Sequence, residues 1–231
     1  MSSLLAATLV LCFGCGGTPT PAATSDPATG GTSESGDELR AGAAPAVLFF
    51  GDSITAGYQL DVSNAFPALV AARIEEAGLR ADVVNGGNSG ETSAGGLRRI
   101  SWFMDDPVDI FVLELGANDG LRGVPVPQIR RNLQAIIDTV RSYNPQVEIV
   151  IAGMQIPPNM GQPYAQEFRA LFPELAREND AVLIPFLLAD VAGEESLNLY
   201  DRIHPNVAGH RIIAETVWTH LEPVLHELAG G

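Results

Sequence analysis

A serine and a histidine–aspartate pair are the side chains of this sequence best suited to nucleophilic chemistry. Ser53 follows Asp52 directly after an apolar run, and Asp201 precedes His204 by three residues near the C-terminus. A hydroxyl needs a base to take its proton, and the base needs an acceptor that orients it. Asp201 and His204 could supply both from one short turn. As alternatives, Asp52 and Ser53 could cap a helix, and Asp201 and His204 could be a surface pair at a helix start.

The composition excludes several other covalent chemistries. All 13 basic residues are arginine, which excludes a Schiff-base lysine, a lysine-bound pyridoxal cofactor and a P-loop lysine. Both cysteines, Cys12 and Cys15, lie in the first fifteen residues, so the rest of the chain has no internal disulfide, thiol nucleophile or thiolate zinc site. We expect neither a metal nor an organic cofactor. A histidine-dependent reaction must draw on His204, His210, His220 or His226.

Length and charge limit the class of protein and its partners. The chain has 231 residues, of which 46% are hydrophobic, so one domain with a sizeable core is expected. Thirteen basic and 28 acidic residues give a net charge of −15. Such a charge repels phosphate backbones, so nucleic acid is not expected as a partner. We expect a monomer.

Short apolar runs alternate with segments of helical spacing. Strands are predicted at residues 46–50, 81–85, 109–115, 147–153 and 181–186. The most regular helical stripe consists of Ile129, Leu133, Ile136, Ile137 and Val140. Pro173 is expected to split one helix in two, and Pro223 to end the last helix. The alternation predicts an α/β fold of the flavodoxin-like type, a three-layer sandwich with a five-stranded parallel sheet.

The polar, glycine-rich and histidine-bearing segments all follow predicted strands. They comprise residues 51–58, 85–93, 115–120, 154–159 and 200–206. In open parallel sheets, ligands bind beyond the carboxyl ends of the strands. We therefore expect one functional site at this edge. His204 alone among the histidines has an aspartate at a suitable offset and lies at that edge.

Four of these segments resemble the sequence blocks that name the SGNH or GDSL hydrolases. The resemblance covers about residues 45–225. Within this family, the chain more narrowly resembles the bacterial thioesterase I, arylesterase and lysophospholipase branch. LELGANDGLRG and SGETS here are close to VELGGNDGLRG and SGDTS of that branch. Three residues depart from the pattern: Glu91 replaces Asp, Ala117 replaces Gly and Arg202 replaces Gly. The matching blocks are Gly51-Asp52-Ser53, Gly90 within SGETS, Gly116-Ala117-Asn118-Asp119 and Asp201-Arg202-Ile203-His204-Pro205.

The resemblance implies a serine hydrolase that cleaves carboxylic ester or thioester bonds through an acyl-enzyme. It implies Ser53 as the nucleophile, His204 as the base and Asp201 as the acid that orients it. It also implies an oxyanion hole made by the N–H groups of Ser53 and Gly90 and the side-chain amide of Asn118. Without the resemblance, Gly90 and Asn118 could be ordinary turn residues.

The segment after the fourth strand is a candidate wall for an acyl chain. It contains Met154, Ile156 and Pro157, and methionine suits irregular apolar ligands. Packing of this loop against the core is the alternative. Ester, thioester and lysophospholipid substrates share one carbonyl chemistry, and the sequence does not separate them. An acyltransferase, a carbohydrate acetyl-esterase and a surface-tethered binding protein with an inactive fold are the alternative functions.

The first 44 residues are interpreted as an export signal and a linker. Residues 4–13 form an apolar run too short to span a bilayer, followed by small residues, so residues 1–15 are predicted to be a signal peptide. It is either a lipoprotein signal with Cys15 as the lipidated residue or a plain secretory signal. Residues 16–44 are predicted to be a flexible linker, and residues 45–231 the hydrolase domain. The protein is therefore expected in the cell envelope, either periplasmic or tethered to a membrane through its N-terminus.

Overall fold

A computed structural model of the chain describes residues 43–230. The predicted signal peptide, Cys15 and nearly all of the predicted linker lie outside the described residues. Among the helices that the structure describes, none combines the length and apolar character needed to cross a membrane.

The central sheet has five strands, one at each predicted apolar run, and the first strand extends one residue beyond its run, to Gly51. They are β1 (Ala46–Gly51), β2 (Asp82–Asn85), β3 (Ile110–Glu114), β4 (Glu148–Ala152) and β5 (Val182–Ile184). Their order is β2-β1-β3-β4-β5, and every neighbouring pair is parallel. This is the flavodoxin-like strand order, and the predicted fold class is confirmed. In the register between β1 and β3, Gly51 lies opposite Glu114.

Helices connect the strands and cover the sheet. They are α1 (Ser53–Ala56), α2 (Phe66–Glu76), α3 (Ser93–Arg99), α4 (Ala117–Leu121), α5 (Val126–Tyr143), α6 (Gln162–Glu178) and α7 (Val207–Gly230). Helix α2 packs against α7, whereas α3 and α6 pack against α5. The predicted stripe on α5 is buried in full, and it joins the strands in one hydrophobic core. Burial of apolar strands between helices is what fixes the sheet.

Two predicted helix breaks are wrong. Helix α6 is continuous through Pro173, and α7 is continuous through Pro223 to Gly230. Each proline removes one helical hydrogen bond, but both prolines lie on the exposed side, where water can satisfy the freed carbonyl. Buried apolar residues on both sides of each proline, such as Leu171 and Leu175 in α6, hold the two halves of the helix in line.

Candidate active site

Ser53 lies at the carboxyl end of β1, where the strand turns into α1. Asp52 caps this short helix, since its Oδ1 accepts a hydrogen bond from the N–H of Ile54 at 3.0 Å. As the first residue of α1, Ser53 has an N–H group that no carbonyl of that helix accepts. Ser53 is only 7% exposed. The local sequence therefore fixes the serine at the sheet edge beside a helix N-terminus.

His204 connects Ser53 to Asp201 through a chain of two hydrogen bonds. Its Nε2 lies 3.0 Å from the Oγ of Ser53, and its Nδ1 lies 2.7 Å from Oδ2 of Asp201. Both distances are within the range for a hydroxyl, a base and the acceptor that orients the base. The ring of Tyr58 packs on the imidazole with 4.3 Å between the ring centres. The structure thus brings together the three residues that the sequence singled out for nucleophilic chemistry.

The turn before α7 holds Asp201 in place. Its Oδ1 accepts hydrogen bonds from the backbone N–H groups of Ile203 and His204, at 2.9 and 3.0 Å. Burial raises the pKa of Asp201, but these bonds and the imidazole of His204 outweigh it and bring the pKa to about 2. Arg202 has a φ of 60°, a left-handed conformation that favours glycine. The replacement of the usual glycine by Arg202 therefore places strain in the turn, and the Arg202 side chain forms an exposed ion pair with Glu195 at 3.0 Å.

The amide of Asn118 is fixed beside the serine by Asp52. Its Nδ2 donates a hydrogen bond to Oδ2 of Asp52 at 2.9 Å. One N–H of the amide is thereby used, and the second is left for another acceptor. Asn118 lies on α4, which begins directly after Gly116 at the end of β3. The amide that the resemblance implies as an oxyanion donor is therefore adjacent to the residue before Ser53.

Gly90 lies in the loop between β2 and α3, with a φ of 79°. A side chain at this position would find open space but a strained backbone, so the conformation itself favours glycine. The loop is anchored to α4 by Ser93, whose N–H and Oγ both donate to the carboxylate of Asp119 at 2.7 Å. Asn132 on α5 donates in turn to the Oγ of Ser93 at 2.9 Å. These bonds tie the loop that holds Gly90 to the helix that holds Asn118.

Glu91, the second departure from the family pattern, is buried beside the same loop. The Nε of Arg99 donates to its Oε2 at 2.5 Å, and the guanidinium lies 4.3 Å above the ring of Phe50. Glu91 and Arg99 also line an open groove of about 650 Å³, together with Trp102, whose side chain is 74% exposed.

The predicted acyl-chain wall is divided between the core and the surface. Met154 and Ile156 are 3% and 9% exposed and belong to the hydrophobic core. These two residues therefore pack against the core in this structure, which is the alternative that the sequence left open. Pro157 is exposed, and a contact between it and a substrate stays a prediction.

The other three histidines lie on α7, away from Ser53. His210 is buried, and its Nδ1 accepts a hydrogen bond from the N–H of Phe66 at 3.1 Å. His220 is bonded to the carbonyl of Thr216 within the helix, and His226 is exposed. Among residues 43–230, no three His, Cys, Asp or Glu side chains are grouped so that they could hold a metal ion.

Sequence reasoning missed three residues that surround the site. Tyr58 packs on His204, Asp119 anchors the Gly90 loop, and Glu114 lies fully buried behind Asp52. Glu114 was the most detectable, because an acidic residue inside an otherwise apolar buried strand is rarely without a partner. Asp119 stands in the Gly116-Ala117-Asn118-Asp119 block, but its contact with Ser93, like that of Tyr58 with His204, depends on the packing of distant segments.

Comparisons with known proteins agree with this geometry. The family model described as the GDSL-like lipase/acylhydrolase family matches residues 49–212. Esterase TesA of Pseudomonas aeruginosa is 37% identical over 79% of this chain and 90% of its own length. The Escherichia coli K12 protein named thioesterase 1/protease 1/lysophospholipase L1 is 36% identical over 81% of this chain and 88% of its own.

A solved structure extends this likeness to the fold. Esterase AlinE4, described as an SGNH-hydrolase family esterase, is 35% identical and has a TM-score of 0.66, with 81% of this chain and 97% of that chain covered. The resemblance drawn from the sequence blocks is confirmed. The chain belongs to the GDSL-like lipase/acylhydrolase family.

Proposed function

We propose that this protein hydrolyses carboxylic esters or thioesters through an acyl-enzyme on Ser53. The observation that carries the proposal is the continuous chain of hydrogen bonds from Ser53 through His204 to Asp201 at the carboxyl edge of the sheet. Of the matched relatives, one is named an esterase and another a thioesterase and lysophospholipase, and these names support hydrolysis of esters and thioesters.

In the first step, the Oγ of Ser53 attacks the carbonyl carbon of the substrate while Nε2 of His204 takes the serine proton. Asp201 accepts from Nδ1 and stabilises the imidazolium that forms. The N–H groups of Ser53 and Gly90 and the amide of Asn118 stabilise the tetrahedral oxyanion. The carbon–oxygen or carbon–sulfur bond then breaks, and the imidazolium gives its proton to the leaving alcohol or thiol.

In the second step, water replaces the alcohol or thiol. His204 takes a proton from the water, the hydroxide adds to the acyl carbon, and a second tetrahedral intermediate forms. Its collapse releases the carboxylic acid, and Ser53 recovers its proton from His204. The protein is thereby returned to its starting state.

The experiment is hydrolysis of nitrophenyl esters from acetyl to palmitoyl, with an acyl thioester beside them. The purified protein should hydrolyse members of this series, and Ser53→Ala should lower kcat on the order of 10⁴-fold or more. Ser142→Ala is the matched control, because Ser142 is an exposed serine on α5 that bonds only to a carbonyl of its own helix. Near-unchanged activity in Ser53→Ala would contradict the proposal.

The same experiment separates the alternative functions. A sharp optimum at acetyl would favour a carbohydrate acetyl-esterase. Product esters formed in added glycerol would reveal an acyltransferase, in which an alcohol outcompetes water for the acyl-enzyme. No hydrolysis of any member would favour an inactive, surface-tethered binding protein.

We also propose that the protein is exported to the cell envelope and acts there as a monomer on small acyl substrates. The apolar run at residues 4–13 and the small residues around Cys15 support export. Mass spectrometry of the mature N-terminus tests this. Cleavage with a lipid on Cys15 would establish a membrane tether, cleavage without lipid a free periplasmic protein, and an intact N-terminus would contradict export.

A further inference from the structure

Glu114 is a buried carboxyl group that the proposed reaction does not use. It lies at the end of β3 and is 1% exposed. Its Oε2 accepts hydrogen bonds from the backbone N–H of Asp52 at 3.1 Å and from the Oγ1 of Thr55 at 2.8 Å. Its Oε1 is also buried, and no donor among the described residues reaches it. A glutamate in this position is connected directly to the segment that carries Ser53.

Glu114 and Asp52 are neighbouring buried acids, 1% exposed each, and the Oε2 of Glu114 accepts from the backbone N–H of Asp52. Among residues 43–230, no arginine forms an ion pair with either acid. Two adjacent buried negative charges without a cation are strongly disfavoured. The pair therefore carries one negative charge and one proton.

The surroundings decide which acid holds the proton. Asp52 accepts from the N–H of Ile54 and from the amide of Asn118, and both bonds favour its anion. Burial and the neighbouring Asp52 raise the pKa of Glu114 well above its ordinary value. Burial also raises the pKa of Asp52, but its hydrogen bonds with Ile54 and Asn118 oppose that effect. The proton belongs on Glu114.

We propose that Glu114 is a positioning residue of the oxyanion hole: as a neutral acid it holds the backbone N–H of Asp52, and the carboxylate of Asp52 in turn fixes the amide of Asn118. This inference rests on the proposed hydrolase function. With one N–H of Asn118 bound to Asp52, the amide cannot rotate freely, and its second N–H is kept for the oxyanion. Preorganised donors stabilise a developing charge without reorganisation during the reaction.

Infrared spectroscopy tests, without any substrate, whether Glu114 carries a proton. The wild-type protein near pH 7 should show the C=O stretch of a buried protonated carboxyl group, and Glu114→Gln should lack it. Glu148→Gln is the matched control, because Glu148 is an exposed glutamate on the neighbouring strand β4. Absence of the band in the wild type, or its persistence in Glu114→Gln, would overturn the proposal. Because this readout needs no activity, its failure is distinct from a failure of the proposed function.

Kinetics test the positioning role. Glu114→Gln should keep kcat within about threefold, because its amide donates and accepts hydrogen bonds as the neutral acid does. The methionine side chain of Glu114→Met has a similar length but can neither donate nor accept these hydrogen bonds. This variant should lower kcat on the order of tenfold or more while KM changes little. A loss in Glu114→Gln as large as that in Glu114→Met would contradict a neutral acid.

A double-mutant cycle with Asn118→Ala shows whether Glu114 acts through Asn118. In the Asn118→Ala background, Glu114→Met should lower kcat by no more than about threefold, because the amide that it positions is already absent. A merely structural role predicts the same fold loss in both backgrounds, and that result would overturn the proposal. Thermal unfolding of every variant verifies that folded proteins are compared, and if Glu114→Met does not fold, the Glu114→Gln kinetics and infrared measurements still decide.

Discussion

His210 is expected to make the stability of the protein depend on pH. It lies on α7 with 1% of its surface exposed, and its Nδ1 accepts a hydrogen bond from the N–H of Phe66. A ring nitrogen that accepts a hydrogen bond carries no proton, so the buried imidazole is neutral. Burial lowers its pKa from 6.5 to about 4.

The sign and size of the effect follow from linkage between protonation and folding. The unfolded chain takes up a proton near pH 6.5, whereas the folded protein takes it up only near pH 4. The contribution of His210 to stability is therefore fully present above pH 6.5 and is lost as the pH falls to about 4. At about 1.4 kcal/mol for each pH unit, the full loss is about 3 kcal/mol, of which about 2 kcal/mol is lost by pH 5.

The perturbation is His210→Gln, since a glutamine oxygen can accept from Phe66 but does not ionise in this range. Urea unfolding at pH 7 and pH 5 should show that the wild type loses about 2 kcal/mol more of its free energy of unfolding than the variant does. His226→Gln, at an exposed position on the same helix, should behave as the wild type. Equal losses in the wild type and His210→Gln would refute the reasoning.

Three further substitutions test the site. Asn118→Ala should lower kcat about 100- to 1,000-fold with an unchanged Tm, since it removes one oxyanion donor; a loss below tenfold in steady-state kinetics would speak against that role. Asp201→Asn should lower kcat about 10³- to 10⁴-fold at pH 7, because the amide cannot orient and stabilise the imidazolium; wild-type rates in this variant would remove Asp201 from the mechanism. Arg202→Gly should raise the free energy of unfolding by about 0.5–1 kcal/mol at unchanged kcat, because relief of left-handed strain exceeds the entropy cost of glycine; urea unfolding that showed a destabilised variant would contradict the strain.

The architecture was predictable because the central strands β1, β3 and β4 are buried on both faces and therefore stand in the sequence as apolar runs. Each of the five runs corresponds to a strand, and the long helix α5 follows its apolar stripe. The short helices α3 and α4 were not predicted, since five to seven residues are too few for a period to emerge, and α1 was anticipated only as the alternative in which Asp52 and Ser53 cap a helix. The two predicted proline breaks were wrong because the burial of flanking residues outweighs one lost hydrogen bond. That burial depends on tertiary packing and cannot be read from the local sequence.

The site was predictable as far as residue type determines chemistry. Ser53, His204 and Asp201 at strand ends were candidates on residue type, but a helix cap and a surface pair stayed open, and the resemblance to the family's sequence blocks was needed to assign their roles. The supporting acid Glu114 was not predicted, because its partner Asp52 is 62 residues away along the chain. Contacts of this kind are set by strand register, which pairs Gly51 with Glu114 and is established only when the sheet forms.

Covalent labelling of Ser53 tests the central claim most directly. The intact protein would be incubated with a fluorophosphonate, which reacts with activated serines, and the modified residue located by peptide mass spectrometry. The account predicts a single modification on Ser53, its absence in Ser53→Ala, and much slower labelling in His204→Ala, in which the base is missing. Labelling of another residue, or no labelling of a protein that still hydrolyses esters, would contradict it.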